Sequence, residues 1–184
     1  MGRRLRVFES ISIDGYFCDA RGDMRWAHDG ARDPEYDAWV SGNASGGGEL
    51  LFGRVTYEMM KAFWPTPAAA AQMPAVAKGM NAATKWVASR SLAKVDWSGA
   101  QLLDGDLVMA VRALKAKDGP GIAVLGSGSV AAQLGAAGLV DEYQFVIVPL
   151  ALGAGRTVFG TEQRLTLQHS RTFKNGRVVV TYAA

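Results

Sequence analysis

Apolar residues along this chain follow two different spacings, which predict strands and helices in alternation. Short apolar runs that end at turn residues, such as 122–125, predict buried strands. Longer stretches repeat apolar residues every three or four positions and predict helices; within 54–63, Val55, Met59 and Phe63 fall on one helical face. Strands that alternate with helices indicate an α/β fold with a mostly parallel sheet.

The same patterns predict the element boundaries. Strands are expected at 5–13, 49–52, 85–88, 100–103, 122–125, 143–148, 165–173 and 177–182. Helices are expected at 34–40, 54–63, 73–81, from 104 or 105 to 117, and at 129–137, with a loop or short helix at 68–71. Asn175-Gly176 favours a type I′ hairpin between the last two strands. The glycine-rich segment 42–48 predicts a flexible connection. We find no internal repeat and no domain linker, so residues 1–184 are expected to form a single domain.

Composition limits the function classes. A chain of 184 residues with 49% hydrophobic and 20% charged residues suits one globular domain. The net charge of +3 favours an anionic ligand, but the basic residues are not clustered enough to indicate nucleic acid. The single cysteine, Cys18, allows no disulfide within the chain, and no Cys/His pattern indicates a metal. No signal peptide or membrane span is predicted, so the expected location is the cytoplasm.

Two predicted strand-to-helix turns carry arginines suited to a phosphate. The first contains Gly53 and Arg54, followed by the hydroxyl of Thr56 near the start of a helix. The second contains Ser89 and Arg90, which offer a hydroxyl and another guanidinium. An arginine side chain can donate two parallel hydrogen bonds to a phosphate. Taken alone, each turn is equally compatible with a solvated arginine and a capping hydroxyl.

A third turn is built from glycine and serine after the predicted strand 122–125. Gly126, Ser127, Gly128 and Ser129 lead into a helix and, with Ala131, fit the pattern G-x-G-x-x-A. Glycine lets a backbone approach a phosphate closely, and the start of a helix offers free N–H groups. Glycine turns also serve packing alone, so this motif gains its meaning from the other two turns.

The combination of turns indicates a nucleotide site. Ligands of open α/β sheets bind beyond the carboxyl ends of the strands, where all of these turns should lie. A diphosphate at the glycines and a 2′-phosphate at the two arginines would describe NADP rather than NAD. A true Rossmann dehydrogenase fits less well. Its fingerprint should be followed about twenty residues later by an acidic residue, and 145–150 contains none.

An ordered set of short motifs spans nearly the whole chain. It consists of Ser12-Ile-Asp14-Gly15-Tyr16, Leu51-Phe-Gly53-Arg54-Val-Thr56-Tyr57-Glu58, Ser89-Arg90, Leu125-Gly-Ser-Gly128-Ser129, Leu139-Val-Asp141-Glu142 and Pro149-Leu-Ala-Leu-Gly153-Ala-Gly155-Arg156-Thr-Val-Phe159. This set resembles the dihydrofolate reductase-like superfamily. The likeness is nearest to the reductase domain at the C-terminus of the bifunctional riboflavin-biosynthesis deaminase–reductase, and to its small stand-alone relatives.

The resemblance implies a three-layer α/β/α fold, NADPH across the strand ends and a homodimer. It also assigns cofactor contacts by motif. By this resemblance, a cofactor phosphate is contacted by Gly53, Arg54 and Thr56, and the adenosine 2′-phosphate by Ser89 and Arg90. The diphosphate is contacted by Gly126, Ser127, Gly128 and Ser129, and the nicotinamide lies beside the segment Asp14-Gly15.

The substrate side carries weaker signals. The acids near the predicted pocket are Asp14, Asp23, Glu35 and Asp37, of which Asp14, Glu35 and Asp37 are the catalytic candidates. The helix with Glu35 and Asp37 occupies the place where dihydrofolate reductases put their pterin-binding acid. Residues 23–48 depart from the riboflavin reductase pattern, and the chain lacks a deaminase zinc motif. The predicted function is an NADPH-dependent reductase of a small heterocyclic or imine/ketone substrate, with a riboflavin precursor or dihydrofolate as candidates. The alternative is a non-catalytic NADP-binding module.

Overall fold

The computed structural model describes residues 2–44 and 47–184. Its strands are β1 (Leu5–Ser12), β2 (Tyr16–Asp19), β3 (Glu49–Gly53), β4 (Lys85–Ala88), β5 (Ala100–Leu102), β6 (Ile122–Leu125), β7 (Glu142–Val148), β8 (Gly155–Thr157), β9 (Thr166–Thr172) and β10 (Val178–Ala183). Its helices are α1 (Pro34–Ala44), α2 (Arg54–Phe63), α3 (Pro67–Gln72), α4 (Pro74–Ala82), α5 (Leu107–Ala116) and α6 (Gly128–Ala136), with a short 3₁₀-helix at Arg25–His28.

The central sheet has the strand order β5-β4-β3-β6-β1-β7-β10-β9. Neighbouring strands from β5 to β7 pair in parallel, whereas β10 runs antiparallel to both β7 and β9. This confirms the predicted α/β class with a mostly parallel sheet and an antiparallel C-terminal hairpin. A separate pair of short strands, β2 and β8, lies outside that sheet. The sequence pattern missed this pair because three or four residues are too few to show a period.

Helices cover both faces of the sheet, so its central strands are buried on both sides. Leu51 packs in the cluster that contains Val111 of α5 and Leu134 of α6. The next residue, Phe52, points to the opposite face and packs with Met80 of α4. On that second face, aromatic residues of α1 pack near the C-terminal hairpin. Continuous apolar runs in parallel strands follow from this double coverage, and the arrangement is a three-layer α/β/α sandwich.

The apolar stripe of α2 shares one face, but that face is exposed. Val55, Met59 and Phe63 have relative exposures of 67%, 46% and 37%. The helix instead contacts the core through Tyr57, whose hydroxyl accepts hydrogen bonds from the backbone N–H groups of residues 96 and 97 at 3.1 Å. Apolar spacing therefore identified the helix correctly without identifying its inward face.

The closing hairpin differs from the predicted type I′ turn. A type I′ turn needs positive φ at both central residues, but Gly176 has φ 81° and Asn175 is not among the positive-φ residues. Gly176 N–H donates to the Phe173 carbonyl, and Phe173 N–H donates to the Arg177 carbonyl. This pattern describes a three-residue loop with a glycine bulge. The Asn175-Gly176 dipeptide therefore predicted the hairpin correctly, but the loop is one residue longer than a type I′ turn.

Helix boundaries follow local capping. Asp33 caps α1, because its carboxylate accepts from the N–H groups of Glu35 and Tyr36, and proline occupies the first helical position as predicted. The helix continues to residue 44, beyond the predicted end at 40, and residues 45 and 46 of the predicted connection lie outside the described ranges. Asp106 caps α5, so that helix starts later than the predicted 104 or 105. Across residues 2–44 and 47–184, no helix is long and apolar enough to cross a membrane.

Candidate functional site

Four predicted site segments lie side by side at one edge of the sheet. The strands β4, β3, β6 and β1 are consecutive neighbours and parallel. Their carboxyl ends lead into Ser89-Arg90, Gly53-Arg54, the glycine turn at 126–129 and Asp14-Gly15, respectively. The structure therefore brings together segments that are up to 115 residues apart in the sequence, at the edge where open α/β sheets bind ligands.

The first and third turns are in direct contact. Gly53 N–H donates to the Ser127 hydroxyl oxygen at 2.9 Å. A Cβ atom placed on Gly126 would lie 3.2 Å from a methyl carbon of Thr56, and one on Gly53 would lie 3.2 Å from a methyl carbon of Val130. The two turns thus pack against each other, and a side chain at either glycine would be tightly crowded.

Ser127 holds the glycine turn in an uncommon conformation. Gly126 and Ser127 both have left-handed backbone angles, with φ of 59° and 63°. A non-glycine residue in this region costs roughly 1 kcal/mol, and the hydrogen bond from Gly53 offsets that cost. The hydroxyl of Ser127 is therefore engaged within the protein, so an anion at this turn would meet backbone N–H groups rather than the serine side chain.

The start of α6 provides those N–H groups beside an open cleft. The helix begins without a side-chain cap, which leaves its first amides available to an anion. The ring of Phe17 covers Gly128 so closely that a Cβ atom there would lie 2.3 Å from a ring carbon. Ser129 and Arg156 line the adjacent cleft, whose volume is about 410 Å³. Arg156 belongs to a motif quoted above, yet the sequence assigned it no role. Its guanidinium carbon lies 5.9 Å from the Phe17 ring centroid.

The two predicted phosphate-binding arginines are accessible at neighbouring strand ends. Arg54 pairs with Glu58 at 2.9 Å across one turn of α2. Exposed pairs of this kind contribute at most about 1 kcal/mol, so the guanidinium can exchange its partner for a phosphate. Arg90 is exposed and makes no ion pair with any residue in the described part of the chain. The Ser89 hydroxyl accepts from the N–H groups of Ser91 and Leu92, which orders the turn that presents Arg90.

Asp14 organises the loop after β7. Its carboxylate accepts hydrogen bonds from the Ser12 hydroxyl at 2.6 Å, from Leu152 N–H at 3.1 Å and from Gly153 N–H at 2.7 Å. These hydrogen bonds, led by that from Ser12, lower the pKa of Asp14 to about 2. The group is therefore ionised at neutral pH, and its geometry suits it to holding the loop beside the predicted nicotinamide segment.

The two acids of α1 lie on its outer side. Glu35 accepts a hydrogen bond from the Arg171 guanidinium at 2.6 Å, which links α1 to β9. Asp37 is exposed. The side chains of α1 that pack toward the sheet are aromatic, namely Tyr36 and Trp39. Glu35 and Asp37 are thus exposed acids, and their catalytic role stays a prediction.

Glu9 is a carboxyl group near the site that the sequence reasoning missed. It is 2% exposed on β1 and pairs in register with Phe145 of β7. One carboxyl oxygen accepts from Ser10 N–H at 3.2 Å, and the other has no hydrogen-bond partner within the described residues. Burial raises the pKa of Glu9 to about 8, so the carboxyl is mostly protonated at neutral pH. Leu5, Val7 and Glu9 alternate along one face of the strand, and this spacing could have predicted from the sequence that Glu9 is buried.

Arg177 fixes the loop before α1 to the C-terminal hairpin. Its guanidinium donates to the carbonyl oxygens of Ala27 and Asp29, and it lies 5.1 Å from the centroid of the Tyr36 ring. Burial, together with the positive charge of Arg177, lowers the pKa of His28 in this loop. The arginine is 4% exposed, which no local sequence pattern signals. This contact holds the loop before α1 against the C-terminal hairpin.

Similar proteins and folds are known. The uncharacterized protein YyaP of Bacillus subtilis (strain 168) is 26% identical over 183 residues, which cover 98% of this chain and 94% of that protein. A solved structure of a candidate riboflavin biosynthesis protein from Shewanella sp. PV-4 matches with a TM-score of 0.74 at 24% identity, covering 100% of this chain and 98% of the other.

A longer relative shares the fold over part of its length. This is the diaminohydroxyphosphoribosylaminopyrimidine deaminase/5-amino-6-(5-phosphoribosylamino)uracil reductase of Thermotoga maritima, with a TM-score of 0.70 and 15% identity. The match covers 99% of this chain but 56% of that protein. The model of the family described as the RibD C-terminal domain matches residues 3–179. Because this match spans nearly the whole sequence, and as the motif resemblance predicted, the chain belongs to the RibD C-terminal domain family.

Proposed function

We propose that this protein is an NADPH-dependent reductase that transfers a hydride to a small heterocyclic or imine/ketone substrate. The observation that carries the proposal is the meeting of four segments at one sheet edge: the glycine turn, two arginine turns and the Asp14 segment. NADPH, when bound, supplies the hydride; the protein supplies binding and orientation. A reductase of the riboflavin precursor is a specific candidate, because a relative in the fold comparison carries that name.

The residues present fit a dinucleotide phosphate. The glycine surface formed by Gly53, Gly126 and Gly128 has no room for side chains, and the uncapped start of α6 offers amides to a diphosphate. Arg54 and Arg90 lie beyond adjacent strands, which makes both candidates to bind the 2′-phosphate that distinguishes NADPH from NADH. This placement of two accessible guanidinium groups favours NADPH over NADH.

Binding of each nucleotide tests the cofactor proposal. NADPH and NADH are titrated while the tryptophan fluorescence is followed, using the wild type, Arg54→Ala, Arg90→Ala and the matched control Arg164→Ala. Arg164 is 95% exposed and lies away from the strand ends. We expect each of the first two variants to lose on the order of tenfold in NADPH affinity, with NADH affinity nearly unchanged. Equal affinity of the wild type for the two nucleotides would contradict the assignment of the arginines.

The alternative is a non-catalytic NADP-binding module, and one observation favours it. Asp14, the candidate acid at the sheet edge, is ionised at neutral pH and accepts hydrogen bonds from the loop after β7, so it holds no proton to donate. Turnover of 5-amino-6-(5-phosphoribosylamino)uracil and of dihydrofolate, each with NADPH, separates the two functions. Loss of the reduced-nicotinamide absorbance with either substrate supports the reductase, and tight binding without turnover of any tested carbonyl or imine supports the module.

We also propose that the protein forms a homodimer through β9. This strand ends the sheet order, and every one of its residues except Arg171 is exposed. A free edge with exposed faces is a site for pairing with another chain, and a two-fold axis beside it would let identical edges meet. Sedimentation of the wild type should give a dimer, which Leu167→Glu should dissociate. Met109→Glu is the matched control, since Leu167 and Met109 are 54% and 64% exposed. A monomeric wild type would rule out this interface.

A further inference from the structure

Glu9 is a buried carboxyl group without a charged partner. Leu5 and Val7, which share its face of β1, are fully buried in the apolar cluster that packs against α5 and α6. Glu9 occupies the next position on that face. Its only hydrogen-bond partner in the described part of the chain is the N–H of Ser10, and one oxygen is left unpaired. An ionised carboxylate in such a place would pay a large desolvation cost, so the group stays neutral until the pH is well above the usual range for a glutamate.

Glu9 lies on β1 next to the glycine turn. Phe8, one residue earlier, pairs in register with Leu125 at the end of β6, and its carbonyl accepts a hydrogen bond from Gly126 N–H at 3.0 Å. The next position of β1 is therefore beside the first residue of the turn, at the spacing of adjacent strands, about 5 Å. The backbone of Glu9 is consequently adjacent to the turn that would receive a diphosphate.

Few other ionisable groups surround it. Tyr143 on the same face of β7 donates its hydroxyl hydrogen to Gln163. Cys18 of β2 is a buried free thiol in the same apolar cluster. Arg156 of β8 lies over the ring of Phe17, and the first turn of α6 carries no charged residue. None of these groups makes a hydrogen bond or ion pair with Glu9, so loss of its proton would leave a negative charge without a counter-charge.

We propose that Glu9 is a positioning residue that couples anion binding at the glycine turn to pH, because its neutral carboxyl permits a diphosphate above it and its carboxylate repels one. The inference rests on the proposed cofactor site. It has two consequences. Nucleotide affinity falls as pH rises through the range in which Glu9 ionises, and binding at that pH draws a proton onto Glu9. Repulsion between two charges separated by less than about 10 Å at low effective dielectric corresponds to a loss of affinity on the order of tenfold.

The test compares the wild type with Glu9→Gln, which keeps the shape and removes the titration. Glu162→Gln is the control, because Glu162 is 85% exposed and pairs with the similarly exposed Arg164. NADPH is titrated from about pH 6.5 to 9.5, above the ionisation of its own phosphate groups, which titrate near pH 6. We expect the dissociation constants of the wild type and of Glu162→Gln to rise on the order of tenfold across this range, while that of Glu9→Gln stays flat.

Calorimetry near pH 8 supplies a second measurement, which counts the protons taken up on binding. Wild-type binding heats in two buffers of different ionisation enthalpy should reveal uptake of a fraction of a proton, and Glu9→Gln should show none. The coupling would be overturned if the wild type and Glu9→Gln had the same pH profile, or if the wild type took up no proton. Neither result would contradict the proposed cofactor site. Failure of the wild type to bind NADPH at any pH would instead remove the cofactor proposal, and the coupling with it.

Discussion

The burial of Glu9 predicts a strong dependence of stability on pH. Its pKa is 4.5 for an ordinary glutamate and about 8 in the folded protein. Between these values the folded state holds a proton that the unfolded state has released, so the free energy of unfolding decreases as pH rises. Each pH unit between the two pKa values lowers the free energy of unfolding by about 1.4 kcal/mol. The whole interval therefore lowers it by roughly 5 kcal/mol. The protein is therefore most stable with respect to this group below pH 4.5, and the loss of stability is complete above about pH 8.

Glu9→Gln tests this directly, since glutamine has no proton to lose. Urea unfolding is measured at intervals from about pH 4.5 to 9 for the wild type and the variant, and the difference removes titrations that the two proteins share. We expect this difference to shift by several kcal/mol in favour of the variant between pH 4.5 and 8, and then to level off. Glu162→Gln should follow the wild type. A difference that is constant to within about 1 kcal/mol would refute the assignment of Glu9 as a buried neutral acid, whether or not the protein binds a nucleotide.

Two further substitutions test the glycine turn and the loop beside it. Gly128→Ala places a methyl group 2.3 Å from a ring carbon of Phe17; we expect a loss of about 1–3 kcal/mol in urea unfolding, whereas Gly42→Ala, with open space around the site, should cost little. Asp14→Asn keeps the side-chain size but weakens the hydrogen bonds to the N–H groups of Leu152 and Gly153. Faster amide hydrogen exchange at these two residues, with β7 still protected, is the expected result, and unchanged exchange would contradict the role of Asp14 in ordering the loop. Because the pKa of Asp14 is about 2, the wild-type loop should keep its protection as pH falls, until the carboxylate is protonated near that value.

The sheet and its helices could be predicted because each depends on local information. The helix α2 begins at Arg54 as predicted, since a glycine ends the preceding strand and an unbroken helical sequence follows. The strands β4 and β6 also match their predicted bounds. Their apolar runs are short and are bounded by polar or glycine residues, which leaves little choice of start and end.

Contacts between distant segments could not be predicted in the same way. The exposure of Val55 on α2 depends on how the helix rests on the sheet, and apolar spacing alone does not fix this. The three candidate acids were chosen because they are carboxylates near predicted site segments. Their actual partners come from elsewhere in the chain, such as Arg171 for Glu35 and Gly153 for Asp14. The ionisation state of an acid is set by such partners and by burial, so sequence position alone was a poor guide to chemistry.

Glu9 shows that a departure from pattern can be more informative than the pattern. Leu5, Val7 and Glu9 alternate along one face of β1, and the first two are fully buried. A carboxyl in the third inward position is costly for folding, and a leucine there would avoid the cost. The cost falls in the part of β1 that lies beside the end of β6 and the glycine turn, not at a random point of the core. Functional sites tolerate local conflicts of this kind, in which stability is lost where a ligand is expected to bind. The pH dependence of nucleotide binding is therefore a sharper test of what this site does than stability alone.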